Sequence, residues 1–405
     1  MSTRAQLLLL AVGMFALGTD GYVITGLLPD VARELAVSES AAGQLVTVFA
    51  LAYALGAPLL GVATAGLPRR SILIGSLAVF TVANVVTAMV DSYPAMLALR
   101  VVAALAAAMF APAAAAAAAA LATAERRGRA LATVSAGISV ATAIGVPLGT
   151  LVGGAFGWRA TFLAVAALGA VATAGLAVLL PPLRSARAAG MRERVAVARA
   201  RGVPGALVLT VLWIAGAFTV LTYLGPVLAS IDGVTGGALS AWLLIFGLAA
   251  SIGNVLGGRA ADRYPVMWLV VVSTSGLTVA LAAFGVLAAF GVSGGAGAVA
   301  SAVVLAVWGV FGWSFAPIQQ HRLVGLVPEQ AGVVLSLNTS AIYLGISLGG
   351  VLGSAALAGG GVAAIGWAAA GVEALAVAAA VGIALREKKA GRRGPGEPAE
   401  VPVEV

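Results

Sequence analysis

Long apolar stretches, separated by short polar or glycine- and proline-containing segments, make up most of this sequence. Each stretch is long enough for a membrane-spanning helix, because a helix rises about 1.5 Å per residue and a bilayer core needs about 20 residues. We therefore predict an all-α membrane protein with twelve transmembrane helices in two six-helix bundles. The predicted spans are 6–29, 41–66, 71–91, 94–122, 130–155, 159–180, 204–230, 237–258, 266–290, 295–320, 330–356 and 362–386.

The composition agrees with this pattern and argues against several classes of protein. Of the 405 residues, 61% are hydrophobic and 9% are charged, whereas an average soluble domain has about 25% charged residues. The chain has no cysteine and one histidine, which argues against disulfides, thiolate metal sites and haem. We therefore expect no metal site and no cofactor. The first apolar stretch is too long for the core of a signal peptide, so we expect it to be retained.

The net charge of +8 could indicate a nucleic-acid partner, but the basic residues are confined to loops and the tail. If the N-terminus is cytoplasmic, 20 of the 23 Lys and Arg residues fall in cytoplasmic segments. The exceptions are Arg33 and Arg159 at the outer face and Arg100 inside a span. The positive-inside rule therefore predicts twelve spans with both termini cytoplasmic, and we expect no nucleic-acid partner.

The two halves of the chain resemble each other. A shift of 197 residues superposes Pro29 on Pro226, Gly61 on Gly258 and Pro68 on Pro265, and a shift of 200 superposes Gly145, Gly149 and Gly153 on Gly345, Gly349 and Gly353. Duplication of a six-span unit explains these matches and is a transporter architecture with a cavity between the halves. We predict an N-terminal bundle at 1–180, a basic cytoplasmic linker at 181–203, a C-terminal bundle at 204–386 and a disordered tail at 387–405.

Asp20 is the only charged residue between Ala5 and Pro29. It lies near the middle of the first span, where an ionised carboxylate costs about 2.5 to 3.5 kcal/mol or more unless it is paired or hydrated. Either Asp20 exchanges protons in a water-accessible cavity, or it is fixed in a structural hydrogen-bond network. We favour proton exchange, because acids inside membranes usually mark ion or substrate paths.

Arg100 is the second unusual charge, about six residues into the fourth span. Its depth differs from that of Asp20 by about 5 Å, which the long arginine side chain can reach. In one interpretation Arg100 pairs with the acid until substrate or a proton breaks the pair. In the other, Arg100 extends to the outer headgroups. The sequence leaves both open.

The fifth span carries glycines at every fourth position, namely Gly145, Gly149 and Gly153, together with Pro147. Small residues at this spacing allow close helix approach, and the proline permits a bend. We expect this face to be a packing surface between the halves on which a rocking motion costs little. The turn containing Gly258, Asp262 and Arg263 is either an ionic latch or a plain topological anchor.

Several other polar residues are candidates for cavity lining or proton exchange. Glu373, in the last span, is either a second proton site or a structural acid, and we favour the structural role. His321 ends the tenth span, where we expect a solvated ring. The aromatic residues Trp213, Trp308, Trp313 and Tyr343 are at suitable depths but are more often packing residues. The cavity-lining candidates are Tyr22, Tyr223, Asn254, Gln319, Gln320 and Asn338.

Several of these motifs together resemble those of the twelve-span drug:proton antiporters of the major facilitator superfamily, most closely the arabinose-efflux and chloramphenicol-resistance-like branch. The motifs are 19–30, Arg100, 145–149, 157–162, 258–263 and 336–340. By this resemblance, Arg100 is the fourth-span arginine implicated in proton transfer, and Asp20 is the first-span acid, which is usually a glutamate. Ala65 stands where the family's loop signature has an acid, whereas Asp262 retains it in the second half.

The resemblance implies a proton-coupled efflux transporter that exports small molecules such as drugs by alternating access. We expect a monomer in the inner membrane, with protons, a small-molecule substrate and lipid as its partners. Sugar export, proton-coupled import and a non-transporting receptor that binds a partner through 181–203 or the tail are the alternatives. An enzyme is disfavoured because the loops are short and clustered catalytic groups are missing. A cavity with one acid suits neutral or cationic amphiphiles.

Overall fold

A computed structural model describes residues 3–183, 189–234, 238–291 and 294–392, and these residues form helices and connecting turns without any β-strand. The helices are α1 (Thr3–Glu34), α2 (Glu39–Ala63), α3 (Arg69–Thr87), α4 (Tyr93–Leu121), α5 (Arg127–Phe156), α6 (Trp158–Leu179), α7 (Met191–Ala198), α8 (Val203–Leu221), α9 (Leu224–Asp232), α10 (Leu239–Ala261), α11 (Val266–Phe290), α12 (Gly294–Leu326) and α13 (Ala331–Arg392). We call the end of the bundle that carries Thr3 and α7 the linker face, and the opposite end the far face.

Within the described residues, eleven helices are long and apolar enough to cross a membrane. The last of them, α13, is two spans joined at Gly361, whose φ of 70° and ψ of −167° interrupt the helix. This conformation favours glycine because a β-carbon would clash with the backbone. The predicted all-α chain of twelve spans, arranged as two six-helix bundles, is therefore confirmed.

The seventh span, predicted as one helix at 204–230, is broken in two. Helix α8 ends at Leu221 and α9 begins at Leu224, with Tyr223 at a non-helical φ of −110° and ψ of 23°. Pro226 explains the break, because it lacks the N–H that would bond the carbonyl of Thr222. The sequence contained this signal, since the proline lies inside the apolar stretch.

The glycines of α5 pack against α1, inside the N-terminal half. A side chain at Gly145, Gly149 or Gly153 would collide with α1. The residues of α1 that it would meet are Thr19, Val23 and Leu27, respectively. We predicted this face between the halves, and that prediction is wrong. The small residues bring α1 and α5 together within one half, so another part of α5 faces the C-terminal half.

The same packing recurs in the C-terminal half, where the glycines of α13 face α8. A β-carbon at Gly345, Gly349 or Gly353 would lie 2.7, 2.5 or 2.6 Å from a backbone oxygen of α8. These oxygens belong to Val211, Ala215 and Thr219, one helical turn apart. The equivalence of the fifth and eleventh spans, predicted from the 200-residue shift, is therefore also an equivalence of packing.

The most extensive contacts between the halves are those of α2 with α13 and of α5 with α10, and α1 also contacts α9 and α10. Helix α5 contains a π-helical turn at Ala141–Gly145, directly before Pro147. Such turns accommodate the hydrogen bond that a proline removes. A β-carbon at Gly247 of α10 would lie 2.7 Å from Cα of Ala143 and 2.8 Å from the carbonyl oxygen of Thr142. The backbone of the π-turn therefore lies directly against the other half.

The predicted linker contains helix α7, and its residues 184–188 lie outside the described residues. Val197 of α7 is buried against Val203 and Leu323 in the C-terminal half. The predicted disordered tail begins at 387, but α13 continues to Arg392, and Arg322 Nη2 donates to Glu387 Oε1 at 3.0 Å. This ion pair ties the helix end to α12. Residues 393–405 of the tail lie outside the described part of the chain.

Candidate functional site

Asp20 and Arg100 form a buried ion pair between α1 and α4. Arg100 Nη1 donates to Asp20 Oδ1 at 2.8 Å, and Arg100 Nη2 donates to the backbone oxygen of Asp20 at 3.2 Å. The side chains are 0% and 1% exposed for Asp20 and Arg100, respectively. The sequence left two interpretations of Arg100 open. In the structure Arg100 pairs with Asp20 and does not extend to the outer headgroups.

This ion pair is incompletely bonded. Asp20 Oδ2, Arg100 Nε and the hydroxyl of Thr19 are buried and have no hydrogen-bond partner in the part of the chain that the structure describes. The guanidinium also lies over the ring of Phe49 on α2, with 4.2 Å between Cζ and the ring centre. A buried ion pair is stable only when its remaining polar atoms find partners. One carboxylate oxygen thus remains available for a proton or a water molecule.

Three tyrosines connect this ion pair to the boundary between the halves. Tyr53 on α2 and Tyr343 on α13 stack with ring centres 3.6 Å apart, and Tyr22 lies 5.8 Å from Phe218 on α8. Tyr343 is close enough to Asp20 for electrostatic interaction, although it belongs to the other half. Aromatic residues from both halves therefore surround the acid on the side of the boundary.

A cavity of about 200 Å³ lies between the halves. Its wall consists of uncharged residues from α1, α5, α8, α10 and α12. They are Tyr22, Thr25, Ile138, Ser139, Thr142, Val146, Leu221, Leu243, Phe246, Ala250, Ser251, Asn254, Trp313, Ala316 and Gln320. Asn254 and Gln320 are exposed and lie in the parts of α10 and α12 nearer the linker face. The cavity therefore reaches towards that face.

Much of the polar lining is free to bind a ligand. Within the described residues, six lining side chains have a polar group without a hydrogen-bond partner in the protein. They are Tyr22, Thr25 and Ser139 from the N-terminal half and Asn254, Trp313 and Gln320 from the C-terminal half. Both halves thus offer neutral donors and acceptors to the same space. Tyr22, Asn254 and Gln320 are lining residues that the sequence predicted.

Gln319 and Asn338, also predicted as lining residues, are not part of this wall. Gln319 Nε2 donates to the backbone oxygen of Ala206 at 2.5 Å and to Thr210 Oγ1 at 3.1 Å, and Thr210 Oγ1 donates to Asn338 Oδ1 at 2.8 Å. These side chains are buried inside the C-terminal half. The correction follows from helix rotation, because Gln319 and Gln320 point about 100° apart on α12.

Tyr223, the remaining lining candidate, closes the far face instead. Its hydroxyl lies 3.5 Å from the backbone oxygen of Ser40 in the other half and donates to the backbone oxygen of Gly350 at 3.1 Å, and the hydroxyls of Ser40 and Ser354 lie 2.5 Å apart across the halves. The break in the seventh span turns Tyr223 away from the cavity. In this conformation the two halves are therefore in contact at the far face.

The turn after α10 forms no latch in this conformation. Asp262 and Arg263 are exposed, and neither takes part in an ion pair within the described residues. A β-carbon at Gly258 would meet Pro317 only at 3.8 Å, an ordinary contact. His321 is exposed on α12. An anchoring role for this turn agrees with these positions better than a closed latch does.

A charged cluster at the far face of the N-terminal half was not predicted. Arg159 bonds the carboxylate of Glu34 and contacts Asp91 Oδ1 at 2.5 Å, while Trp158 Nε1 donates to Glu34 Oε2 at 2.6 Å. The cluster ties the end of α1 and the α3–α4 connection to the start of α6. The sequence places Arg159, Glu34 and Asp91 near the outer ends of predicted spans, but it does not show that they meet.

A family model of the Major Facilitator Superfamily matches residues 10–350. The chain is 32% identical to the MFS-type transporter YbcL of Bacillus subtilis, over 91% of this chain and 92% of that protein. It is 37% identical to a chloramphenicol resistance protein of Streptomyces lividans, over 65% of this chain and 69% of that protein. It is 27% identical to a probable sugar efflux transporter of Mannheimia succiniciproducens, over 92% of each.

Among solved structures, a bacterial homologue of the human lysosomal transporter Spinster, in an inward-facing and occupied conformation, matches with a TM-score of 0.76. The identity is 20%, over 96% of this chain and 98% of that chain, so this match concerns the fold alone. The family model, the relatives and the two-bundle fold agree with one another. The chain is a multi-pass membrane protein of the major facilitator superfamily.

Proposed function

We propose that this chain is a proton-coupled efflux transporter that exports small, uncharged polar molecules by alternating access. It acts in the bacterial inner membrane as a monomer, with both termini in the cytoplasm. The observation that carries the proposal is the buried pair of Asp20 and Arg100 beside a cavity to which both halves contribute. The arginine-rich linker face is cytoplasmic by the positive-inside rule.

Proton exchange at Asp20 is supported by the other partners of Arg100. Removing one member of a buried ion pair commonly costs about 3 to 5 kcal/mol, because the other charge is left without a partner. Here the guanidinium would keep the backbone oxygen of Asp20 and the ring of Phe49 after the carboxylate is protonated. Protonation of Asp20 therefore leaves Arg100 partly compensated. The carboxylate can gain and lose a proton at a lower cost than in an isolated pair.

Alternating access requires the acid to meet opposite sides of the membrane in turn. In the present conformation the far face is closed by Ser40, Ser354 and Tyr223, while the cavity extends towards the linker face. Tyr53 of α2 and Tyr343 of α13 stack across the boundary between the halves, near the ion pair. When the halves tilt, this stack opens and Asp20 receives its proton from the far side.

The lining of the cavity favours an uncharged substrate. Its free groups are hydroxyl, amide and indole groups, and none of the described lining residues is charged. A cation in this cavity would have no carboxylate in contact, because Asp20 is engaged by Arg100. The names of the relatives, a chloramphenicol resistance protein and a probable sugar efflux transporter, point to the same chemistry. Drugs and sugars both remain candidate substrates.

The coupling is energetically sufficient for export. One proton moving through about 100 mV releases about 2.3 kcal/mol, which supports a substrate gradient of about fiftyfold. This holds for a neutral substrate, since exchange of a monovalent cation for one proton moves no net charge. A proton-coupled importer would use the same ion pair of Asp20 and Arg100, but its proton and its substrate would cross the membrane in the same direction. A non-transporting receptor would bind a partner without any flux.

Everted membrane vesicles test the proposal with chloramphenicol and arabinose as probes. We expect vesicles with the wild-type chain to accumulate at least one probe when the lumen is acidified, and Asp20→Asn to abolish this accumulation. Glu329→Gln removes an exposed loop acid in the same way and serves as the control. Undiminished accumulation with Asp20→Asn, or none in the wild type, would contradict the proposal. If a probe accumulates only when the lumen is alkaline, proton and probe move in the same direction, which would indicate an importer.

A further inference from the structure

Glu373 is a buried acid for which the proposed transport cycle has so far no role. It lies in the second arm of α13, residues 362–392, and is 0% exposed. Within the described residues neither of its carboxyl oxygens has a hydrogen-bond partner. A β-carbon at Gly216 of α8 would lie 2.6 Å from Glu373 Oε1. The carboxyl group therefore occupies the space that the missing side chain of Gly216 leaves free.

The surroundings of Glu373 do not suit an ionised carboxylate. Among the described residues, Glu373 forms no ion pair and accepts no hydrogen bond. Burial without a counter-charge or a hydrogen-bond donor disfavours the charged form. Asp20 has a cationic partner in Arg100, whereas Glu373 has none among the described residues, so its buried carboxyl group is better suited to the neutral form.

We infer that Glu373 is the proton-binding site of the C-terminal half, which holds a proton in this conformation and exchanges it when the halves move. This inference rests on the proposed proton-coupled transport. The ligand is a proton, and the reaction is the dissociation of the carboxylic O–H bond. The proton passes to water, and the electron pair stays on the carboxylate.

The relation between the halves supports this assignment. The 197-residue shift that superposes Pro29 on Pro226 places Thr19 on Gly216 and Asp20 on Ala217. Helix α8 therefore has no acid at the position that corresponds to Asp20. Glu373 brings a carboxyl group from a different helix to the neighbouring position. Each half thus has one buried carboxyl group next to its first helix or its equivalent, and of the two only Asp20 has a cationic partner among the described residues.

The contact between Glu373 and α8 lies close to an irregular part of that helix. The seventh span breaks at Tyr223, and the buried hydroxyl of Thr222 has no hydrogen-bond partner among the described residues. Six residues of helix separate Gly216 from Thr222, which is about 9 Å. A change of angle at this break moves α8 against the second arm of α13, and this movement gives water access to the carboxyl group of Glu373. This movement provides the step in which Glu373 loses its proton.

Infrared spectroscopy of the full chain in lipid vesicles tests the inference directly. We expect the wild type to show the C=O band of a protonated carboxylic acid, and Glu373→Gln to lose it. Asp20→Asn should retain the band, and Glu373→Asp should shift it. In D₂O, an imposed transmembrane pH gradient should move the band to its deuterated position faster than in vesicles without a gradient.

The outcomes separate the proton site from the efflux function. Absence of the band in the wild type, or its persistence in Glu373→Gln, would overturn the assignment of a proton to Glu373. A band that never responds to D₂O under a gradient would make the acid structural, and would also overturn the inference. If the band exchanges but neither chloramphenicol nor arabinose accumulates in vesicles, the proposed efflux function fails while the proton site stands. Accumulation without band exchange would support efflux and overturn the role of Glu373.

Discussion

The rings of Tyr53 and Tyr343 stack across the boundary between the halves, with an interplanar angle of 16° and 3.6 Å between their centres. Tyr53 belongs to α2, which also carries Phe49 against Arg100, and Tyr343 is electrostatically close to Asp20. The stack is therefore a contact between the halves that lies close to the buried ion pair. Its opening is expected to accompany access to Asp20.

Substitution Tyr343→Leu should increase proton leakage through the protein. An aromatic pair contributes about 0.5 to 1.5 kcal/mol beyond its buried area, so its loss favours the opened arrangement about two- to tenfold. The measurement is the decay of an imposed pH gradient in vesicles without substrate. Tyr264→Leu, which changes an exposed tyrosine, is the matched control. Equal decay in the two variants would show that the stack does not shield Asp20.

The single and double variants of the ion pair should differ in a characteristic way. Arg100→Ala leaves the buried carboxylate of Asp20 without its partner, a loss of about 3 to 5 kcal/mol if the charge persists. The double variant Asp20→Asn with Arg100→Ala removes both charges and should recover part of that stability. Thermal unfolding in detergent measures the difference. If the effects of the two single variants simply add, the charges are not coupled.

Gly247→Val should disturb the contact of α10 with the π-turn of α5. A side chain there meets the backbone of Thr142 and Ala143, which cannot move aside as a side chain would. Overpacking of this kind costs about 1 to 3 kcal/mol, and here it acts on the arrangement of the halves. We expect reduced accumulation of chloramphenicol with normal membrane insertion. Gly371→Ala, which meets no atom within 4 Å, is the control.

Export of a neutral probe should respond to the membrane potential as well as to pH. One elementary charge crosses the membrane in each cycle, worth about 2.3 kcal/mol per 100 mV. A potassium diffusion potential, positive in the lumen of everted vesicles, should therefore accelerate accumulation at equal pH on both sides. A rate that is independent of the potential would indicate a cationic substrate, contrary to the uncharged cavity.

Labelling of introduced cysteines should report which face is open, because the chain has no cysteine of its own. Asn254→Cys lies in the cavity and should react with a water-soluble thiol reagent. Ser354→Cys replaces a residue in contact with Ser40 and should be protected while the far face is closed. Conditions that favour the opposite conformation should reverse this order. Equal labelling of both positions would contradict the closed far face.

The sequence predicted those features that depend on the composition of single spans. The twelve spans follow from hydrophobicity, and the high cost of charge inside a membrane marks Asp20 and Arg100 as unusual, but the sequence left their pairing open. The 200-residue repeat also indicated that the two halves carry equivalent glycine faces. The glycine spacing of α5 does not indicate which neighbouring helix packs against the glycine face.

Features that depend on helix rotation and on contacts between distant spans were not predictable. Gln319 and Gln320 are adjacent in the sequence, yet one is bonded inside the C-terminal half and the other lines the cavity. The role of Gly247 depends on the π-turn of α5, about 100 residues earlier in the chain. Tyr223 lies away from the cavity because the break before Pro226 turns it. Local propensity does not determine such geometry.

The glycine faces that hold α1 to α5 and α8 to the first arm of α13 have a consequence for motion. Interlocked helices of this kind shear only with difficulty, so each of these two helix pairs reorients as a rigid block, whereas the second arm of α13 lies outside the glycine contact. The free-energy difference between the two orientations of the halves then depends on a few contacts across the boundary between them, such as Ser40 with Ser354 and Gly247 with the π-turn. Single substitutions at this boundary can therefore change which orientation of the protein is favoured, while the packing inside both blocks stays intact.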